Sequence, residues 1–165
     1  MSATVEIDVL VQDEAWRTAA SDIETLATRA AEVALAVGNY AGGDAELSIA
    51  LADDAAVAAL NAEWRGRDGP TNVLSFALET DAVDAGPGPI AALGDVVLAR
   101  ETILAEARRD GRTVDDHTAH LVVHGVLHLL GYDHEDDDDA VCMEAAETAA
   151  MRAMNRPDPH AEAMR

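Results

Sequence analysis

The sequence contains no lysine, one cysteine and only two Trp, two Tyr and one Phe in 165 residues. A lone Cys142 cannot form an internal disulfide, and we expect it to be a small core residue in a reducing, cytoplasmic environment. The core must be built mainly from Ala, Val and Leu. No apolar run reaches the roughly 18 residues of a membrane span, and the N-terminus lacks signal-peptide features, so no membrane partner is expected.

Positive charge is also scarce, because 11 basic residues face 32 acidic ones and the formal net charge is −21. A surface this acidic disfavours non-specific binding to nucleic acid, and no DNA partner is expected. A polyanionic substrate would need a local group of arginines together with a metal ion. We interpret the excess acid as a feature that favours solubility.

Histidine, by contrast, is concentrated in one part of the chain, in and before the segment HGVLHLLGYDH at residues 124–134. His124 and His128 are four residues apart and therefore share one face of a helix, where they can supply two zinc ligands. Gly131 can end that helix in the left-handed conformation, and His134 can supply a third ligand after the turn. Three protein ligands leave a fourth position open, as in catalytic zinc sites.

The other histidines fit this ion less well. His117 lies about 10 Å along the helix axis from His124, and His120 is further from the turn that returns the third ligand. We predict that both support the ligands, pack in the core or face substrate. His160 lies near the C-terminus and is not expected to be a ligand. The acidic run at residues 135–139 is interpreted as a helix N-terminus rather than a second metal site.

The residue after the first histidine argues against one class of zinc enzyme. Zinc proteases carry Glu there as general base, in the pattern HExxH, whereas this chain has Gly125. The sequence therefore does not support a protease mechanism. Glycine inside a helix costs about 1 kcal/mol relative to alanine, so we expect another backbone or the substrate to approach closely at this position.

Hydrophobic periodicity and turn residues predict an α+β protein with a small four-stranded mixed sheet packed by about five helices. The predicted strands are 4–11, 46–51, 71–76 and 93–98, and residues 81–89 are a predicted surface loop. The predicted helices are 21–37 with Ser21 as N-cap, 53–64 capped by Asp53 and Asp54, 100–109, 113–131 and 135–154. We expect a single domain over residues 1–155 and a frayed tail over 156–165.

The motif HGVLHLLGYDH resembles the hallmark of the YbeY family of endoribonucleases and ribosomal RNA maturation factors. Three further blocks resemble the family in its usual order: LNAEWR at 60–65, PTNVLSF at 70–76 and GDVVL at 94–98. Two positions depart from the family pattern, because this chain has Asn72 where Asp is usual and Ala77 where Pro is usual. Asn72 keeps an acceptor but removes any charged role at that position.

The resemblance implies a single-domain metalloprotein with one zinc ion per chain, held by His124, His128 and His134, and a functional arginine at Arg65. It implies single-strand-specific RNA cleavage in 16S ribosomal RNA 3′-end maturation and ribosome quality control. The implied partners are single-stranded and ribosomal RNA and the small ribosomal subunit with its proteins.

On this hypothesis the metal polarises a phosphoryl oxygen and lowers the pKa of bound water, while Arg65 contacts the phosphate through its planar guanidinium. Without the resemblance, a solvated arginine at a helix end is the simpler interpretation of Arg65. Asp133 is expected to orient a ligand histidine or cap the turn. Asn72 and Ser75 are weaker candidates that could face the cleft. Water and a 2′-hydroxyl both stay open as the nucleophile.

Two other functions are compatible with the residues. One is a non-nucleolytic ribosome assembly factor with a structural metal, for which the acidic surface would suit basic ribosomal proteins. The other is a metal hydrolase acting on a different class of substrate, such as a peptide or a small phosphoester. Metal-dependent turnover separates the first alternative from a nuclease, and substrate identity separates the second.

Overall fold

The computed structural model describes residues 4–40, 42–77, 91–133 and 135–160. The loop predicted at 81–89 and the candidate ligand His134 lie outside the described residues. The elements in chain order are β1 (Val5–Val11), α1 (Trp16–Ala19), α2 (Ile23–Val37), β2 (Ala45–Ala52), α3 (Asp54–Arg65), β3 (Val73–Ala77), β4 (Ala91–Ala99), α4 (Arg100–Asp110), α5 (Val114–Leu129) and α6 (Asp137–Ala153).

The four strands form one mixed sheet in the order β1-β2-β4-β3. Strands β1, β2 and β4 run parallel, and β3 is an antiparallel edge strand beside β4. The predicted α+β class with a small mixed sheet is confirmed. Six helices occur in the described ranges, where about five are predicted. The additional one is the single-turn helix α1, which buries Trp16 between the first strand and the first long helix.

The two faces of the sheet are packed unequally. The larger core joins one sheet face to α2, α5 and α6, and its fully buried members include Leu47, Val96 and Leu127. The smaller core lies on the opposite face, where Val57 of α3 packs against Leu74 and neighbouring strand residues. Strand β1 alternates half-buried and exposed side chains, as expected for an edge strand covered on one face.

Helix α5 is central to this architecture, since it packs between the sheet, α2, α4 and α6. Nine of its sixteen residues are buried, among them Val122 and Val126. Its histidines therefore sit on a helix whose position is determined by apolar packing on several sides. A site built on such an element keeps its geometry better than one built on loops.

Side-chain caps begin three of the helices, and the cap at Asp53 is the one that the sequence predicts as a cap. Asp53 accepts a hydrogen bond from the amide of Ala56 at 2.8 Å, and Thr113 accepts one from the amide of Asp116 at 3.0 Å. In α6 the cap is Asp136, and the acidic residues that follow occupy the first turn, where they complement the helix dipole. The structure thus gives the acidic run a helix-starting role.

Two local predictions are wrong. Ser21 is not the N-cap of α2, because Asp22 takes the left-handed conformation and its carbonyl accepts the first helical hydrogen bond, from Leu26. Cys142 is exposed rather than in the core. The buried stripe of α6 runs through Met143 and Met151, so position 142 falls on the outer side of the helix.

Across the described ranges, the helices lack the combination of length and apolarity that crossing a bilayer requires.

Candidate active site

The end of α5 shapes the site. The amide of Tyr132 donates to the carbonyl of Leu127, and the amide of Gly131 donates to the carbonyl of His128, both at 3.0 Å. This is the Schellman arrangement, and it requires the left-handed conformation that Gly131 adopts with φ 100°. The predicted glycine helix end is confirmed. The turn also brings the Tyr132 carbonyl over the last histidine of the helix.

His124 and His128 face one another. Their Nε2 atoms are 3.1 Å apart, and the rings meet edge to face with centroids 4.6 Å apart. The Nδ1 of His128 lies 3.0 Å from the Tyr132 carbonyl, and the Nδ1 of His124 lies 2.9 Å from Oε2 of Glu147. Both acceptors place the ring proton on Nδ1, so both Nε2 lone pairs point into the space between the rings.

Glu147 is the most informative residue that the sequence interpretation missed. It belongs to α6, is only 2% exposed, and accepts hydrogen bonds from His120, His124 and His160. A carboxylate behind a histidine fixes the tautomer of the ring and raises its basicity as a ligand. The sequence does contain an indication of this role, because Glu147 interrupts the otherwise apolar buried stripe of α6.

The protonation states of this group follow from burial and pairing. Burial on its own raises the pKa of Glu147, but hydrogen bonds from His120 and His124 outweigh burial, and the pKa falls far below its usual range. Burial lowers the pKa of His120, and the hydrogen bond to Glu147 offsets this only in part. The site therefore contains an ionised carboxylate beside a neutral imidazole, which is the form of histidine that binds metals.

A second convergence involves His120, Glu147 and His160. One potential ligand atom from each lies within 4.8 Å of the other two, so this group could hold a metal ion. His160 is predicted not to be a ligand, yet its Nε2 lies 2.9 Å from Oε1 of Glu147. Nothing in the local sequence around position 160 indicates this contact, because it depends on how the chain folds back after α6.

Arg65 lies at the C-terminal end of α3, where the chain passes over the edge strand β3. Its guanidinium donates to the carbonyl of Ser75 at 2.6 Å and sits 5.3 Å from the centroid of the Phe76 ring. A cleft of about 690 Å³ is lined by Arg65, Arg67, His124 and His128 together with Thr71, Asn72 and Ser75. The fold therefore brings Arg65 into the same cleft as the two facing histidines.

The weaker candidates are also placed around this cleft. Asn72 donates through its side-chain amide to Glu106 at 3.0 Å, and the same Glu106 oxygen lies 2.8 Å from Nε2 of His117. An Asp in place of Asn72 would set two carboxylates against each other, so the amide suits this neighbour. Ser75 donates its hydroxyl to the carbonyl of Gly125 at 3.2 Å, which ties β3 to α5.

A close approach at Gly125 is present, but side chains of the sheet make it, not the backbone or substrate that the sequence predicts. A Cβ at this position would lie 2.6 Å from Cγ1 of Val96 and 3.2 Å from Oγ of Ser75. The helix can therefore lie close against β3 and β4 at the level of the facing histidines. Asp133 is half-buried directly after the Gly131 turn.

Residues 156–160, the described part of the predicted tail, are held by specific contacts. Arg112 donates to the carbonyl of Pro159 at 2.6 Å, and Pro159 itself is buried. Arg156 pairs with Asp116 at 2.7 Å. These contacts anchor the segment that carries His160 against α4 and α5.

Known proteins match this chain over nearly its whole length. Residues 8–155 match the model of the family described as Endoribonuclease YbeY. The chain belongs to the YbeY family. A relative named Endoribonuclease YbeY from Paramagnetospirillum magneticum is 52% identical over 163 residues, which cover 98% of this chain and 99% of the relative. Another of the same name, from Azorhizobium caulinodans, is 49% identical over 158 residues, covering 95% and 97%.

A solved structure supports the fold. The solution structure of a Thermotoga maritima protein superposes with a TM-score of 0.57 and 22% identity, covering 94% of this chain and 99% of that one. At this identity the likeness concerns architecture alone. The resemblance seen in the sequence motifs is thus confirmed at the level of the YbeY family.

Proposed function

We propose that this protein is a zinc-dependent endoribonuclease that cleaves single-stranded RNA. The observation that carries the proposal is the convergence of the facing His124 and His128 with Arg65 in one cleft. Membership in a family described as Endoribonuclease YbeY supports RNA as the substrate. The zinc ligands proposed are His124, His128 and His134, with one such ion per chain.

The two described histidines fit a shared ion. Zinc–nitrogen bonds of about 2.0–2.1 Å at a tetrahedral centre put two ligand nitrogens roughly 3.3 Å apart, and the Nε2 atoms of His124 and His128 are 3.1 Å apart. Both Nδ1 atoms are committed to oxygen acceptors, so the lone pairs that a metal needs face each other. A zinc ion held there would supply a Lewis acid at the floor of the cleft.

Arg65 is proposed to bind the scissile phosphodiester. Its guanidinium is held by the Ser75 carbonyl and the Phe76 ring, which leaves other donors of its planar fork available for phosphate oxygens. Holding the group on two sides limits the entropy lost when substrate binds. Arg67 adds a second positive charge to the same cleft. The two arginines would give an acidic protein one local place that attracts a polyanion.

An exposed aromatic ring supports a single-stranded substrate. Trp64 precedes Arg65 and is 65% exposed, and it lines an adjoining groove with Leu60 and Phe76. Unpaired bases stack on such rings, whereas paired bases in a duplex cannot reach them. We therefore propose that a nucleotide next to the scissile phosphate rests against Trp64.

Ribosomal RNA is the proposed natural substrate, with cleavage at the 3′ end of 16S ribosomal RNA and a part in ribosome quality control in the cytoplasm. The resemblance of the motifs supports this assignment. The net charge of −21 would favour contact with basic ribosomal proteins of the small subunit, which could deliver the RNA end to the cleft.

The proposal is tested by assaying highly purified protein on single-stranded RNA, double-stranded RNA and single-stranded DNA. Arg65→Ala should lower cleavage by roughly 100-fold or more, as loss of a transition-state donor does, with bound zinc unchanged. His128→Ala should lose cleavage together with the zinc ion proposed between His124, His128 and His134. Arg29→Ala changes an exposed arginine on α2 and serves as the matched control, with activity unchanged.

Other outcomes would redirect the assignment. Equal cleavage by the wild type and both site variants would indicate a contaminating nuclease and favour the non-nucleolytic assembly factor. Zinc-dependent turnover of a peptide or a small phosphoester, without RNA cleavage, would favour a hydrolase of another class.

A further inference from the structure

A second set of potential metal ligands lies beside the proposed zinc site and is distinct from it. Oε1 of Glu147 is 2.5 Å from Nε2 of His120 and 2.9 Å from Nε2 of His160. The two imidazole rings meet edge to face at 87°, with centroids 5.5 Å apart. Two imidazole nitrogens and a carboxylate oxygen thus converge on one point.

The ligands are contributed by three separate parts of the chain. His120 is on α5, Glu147 is on α6 and His160 follows α6, and their side chains are 14%, 3% and 32% exposed. They border a cavity of about 320 Å³ whose wall also contains Glu106 and Glu144. Glu147 and His120 are therefore withdrawn from solvent, whereas His160 is exposed, and the cavity has room for a further ligand.

The position of His160 is specified by its own contacts. Its amide donates to Oδ1 of Asp158 at 2.9 Å, and the same oxygen accepts from Thr148 of α6 at 2.9 Å. Pro159 is buried, and its carbonyl accepts from Arg112. Hydrogen bonds at the two preceding residues and at the amide of His160 thus position its ring beside Glu147.

We propose that His120, Glu147 and His160 form a second divalent-metal site, whose ion fastens the segment after α6 to α5. Two imidazoles and one carboxylate form a ligand set that suits zinc, and the three protein ligands leave one position open toward the cavity. This proposal stands independently of the ribonuclease function.

The geometry argues that the second ion is not half of a two-metal catalyst. Catalytic metal pairs lie roughly 3.5–4 Å apart and share ligands directly. Here Oε1 of Glu147 faces the second site while Oε2 holds Nδ1 of His124. The His124 ring and the carboxylate therefore stand between the two sites. The second ion would hold Glu147 in the position that orients His124.

Metal stoichiometry tests the proposal. Full-length protein is stripped with chelator, titrated with zinc in the presence of a competing chelator, and its bound zinc is measured. The wild type should bind two equivalents and His160→Ala one. His128→Ala should also bind one, because it removes the other ion. Glu144→Gln alters an exposed carboxylate of the same cavity and should still bind two.

The thermal midpoint provides a second readout. Zinc should raise the thermal midpoint of the wild type more than that of His160→Ala, because only the wild type binds the second ion. One equivalent in the wild type, lost in His128→Ala and kept in His160→Ala, would overturn the second site and leave the proposed function intact. One equivalent lost in His160→Ala and kept in His128→Ala would support this site and overturn the zinc assignment of the proposed function.

Discussion

At the scale of single residues, Glu147 is the one buried carboxylate among the described residues. Moving a carboxylate out of water costs several kcal/mol unless other groups solvate it. Here Glu147 receives hydrogen bonds from three imidazoles, on α5 and on the segment after α6. The same contacts that make its burial tolerable also determine how His124 is oriented.

Gly125 provides a test of packing at the same scale. Gly125→Ala should raise helix propensity by about 1 kcal/mol, but the added methyl would lie 2.6 Å from Val96. Such overpacking costs about 1–3 kcal/mol, so we expect the free energy of unfolding to fall by up to about 2 kcal/mol. Chemical denaturation measures the change.

Gly43 offers the matched control, because a Cβ there meets nothing within 4 Å and the residue is exposed. Gly43→Ala should leave stability nearly unchanged. The packing argument fails if Gly125→Ala is more stable than the wild type. Combining Gly125→Ala with Val96→Ala should show a favourable coupling, since the smaller side chain removes the clash.

At the scale of elements, one ion pair joins the end of β1 to the start of α4. Asp13 follows β1, Arg100 begins α4, and Oδ2 of Asp13 lies 2.6 Å from Nε of Arg100. Asp13 also accepts from the amide of Ala15 at 3.1 Å. Because the outer strand β1 has no partner on its far side within the described sheet, this pair helps to hold its end.

The ion pair between Asp13 and Arg100 predicts how the stability of the protein depends on pH. The hydrogen bond from Arg100 lowers the pKa of Asp13 below its usual value. A lowered pKa means that the stabilisation is complete above the unfolded-state pKa of about 3.9 and disappears as pH falls through the folded-state value. Asp13→Asn should therefore cost about 1 kcal/mol at pH 7, and the difference from the wild type should shrink toward pH 3.

Unfolding curves at pH 7, 5 and 3 measure this difference. Asp8→Asn is the control, since Asp8 is an exposed residue of β1. A difference between the wild type and Asp13→Asn that is as large at pH 3 as at pH 7 would show that shape or hydrogen bonding, rather than charge, makes Asp13 important.

At the scale of the whole molecule, the acidic surface and the small basic cleft have opposite effects on RNA binding. The surface repels the phosphates, and the cleft attracts them. Arg65 and Arg67 are the two arginines that line the cleft. Each phosphate neutralised on a single strand contributes about −0.7 to the slope of log affinity against log salt. Two contacts therefore predict a shallow slope of about −1.4, and salt screening of the surrounding negative charge should flatten it further.

Fluorescence anisotropy with a 2′-O-methyl single-stranded oligonucleotide measures this slope, with a gel to confirm that the strand stays intact. Arg67→Ala should weaken binding and reduce the slope by about 0.7. A slope steeper than −3 in the wild type would mean that the RNA contacts basic groups outside the cleft, and the proposed binding mode would then be wrong.

The local elements were predictable because short-range physics produces them. The His124–His128 spacing, the glycine end of α5 and the cap at Asp53 each depend on residues within about one helical turn. The strands also followed from their β-branched composition and the turn residues between them. The N-cap of α2 was predicted one residue early, since Asp22 takes a left-handed conformation that local preference disfavours.

The sequence alone determined the fold class, the family and the helix face that presents His124 and His128, because periodicity and motif spacing encode them directly. Only the tertiary structure decided that Glu147 supports His124, that His160 reaches the same carboxylate and that Arg65 shares a cleft with the histidines. Those pairs lie 23, 13 and about 60 residues apart in the chain. Their contacts arise from the packing of α6 on α5 and of α3 over β3, which no local pattern specifies.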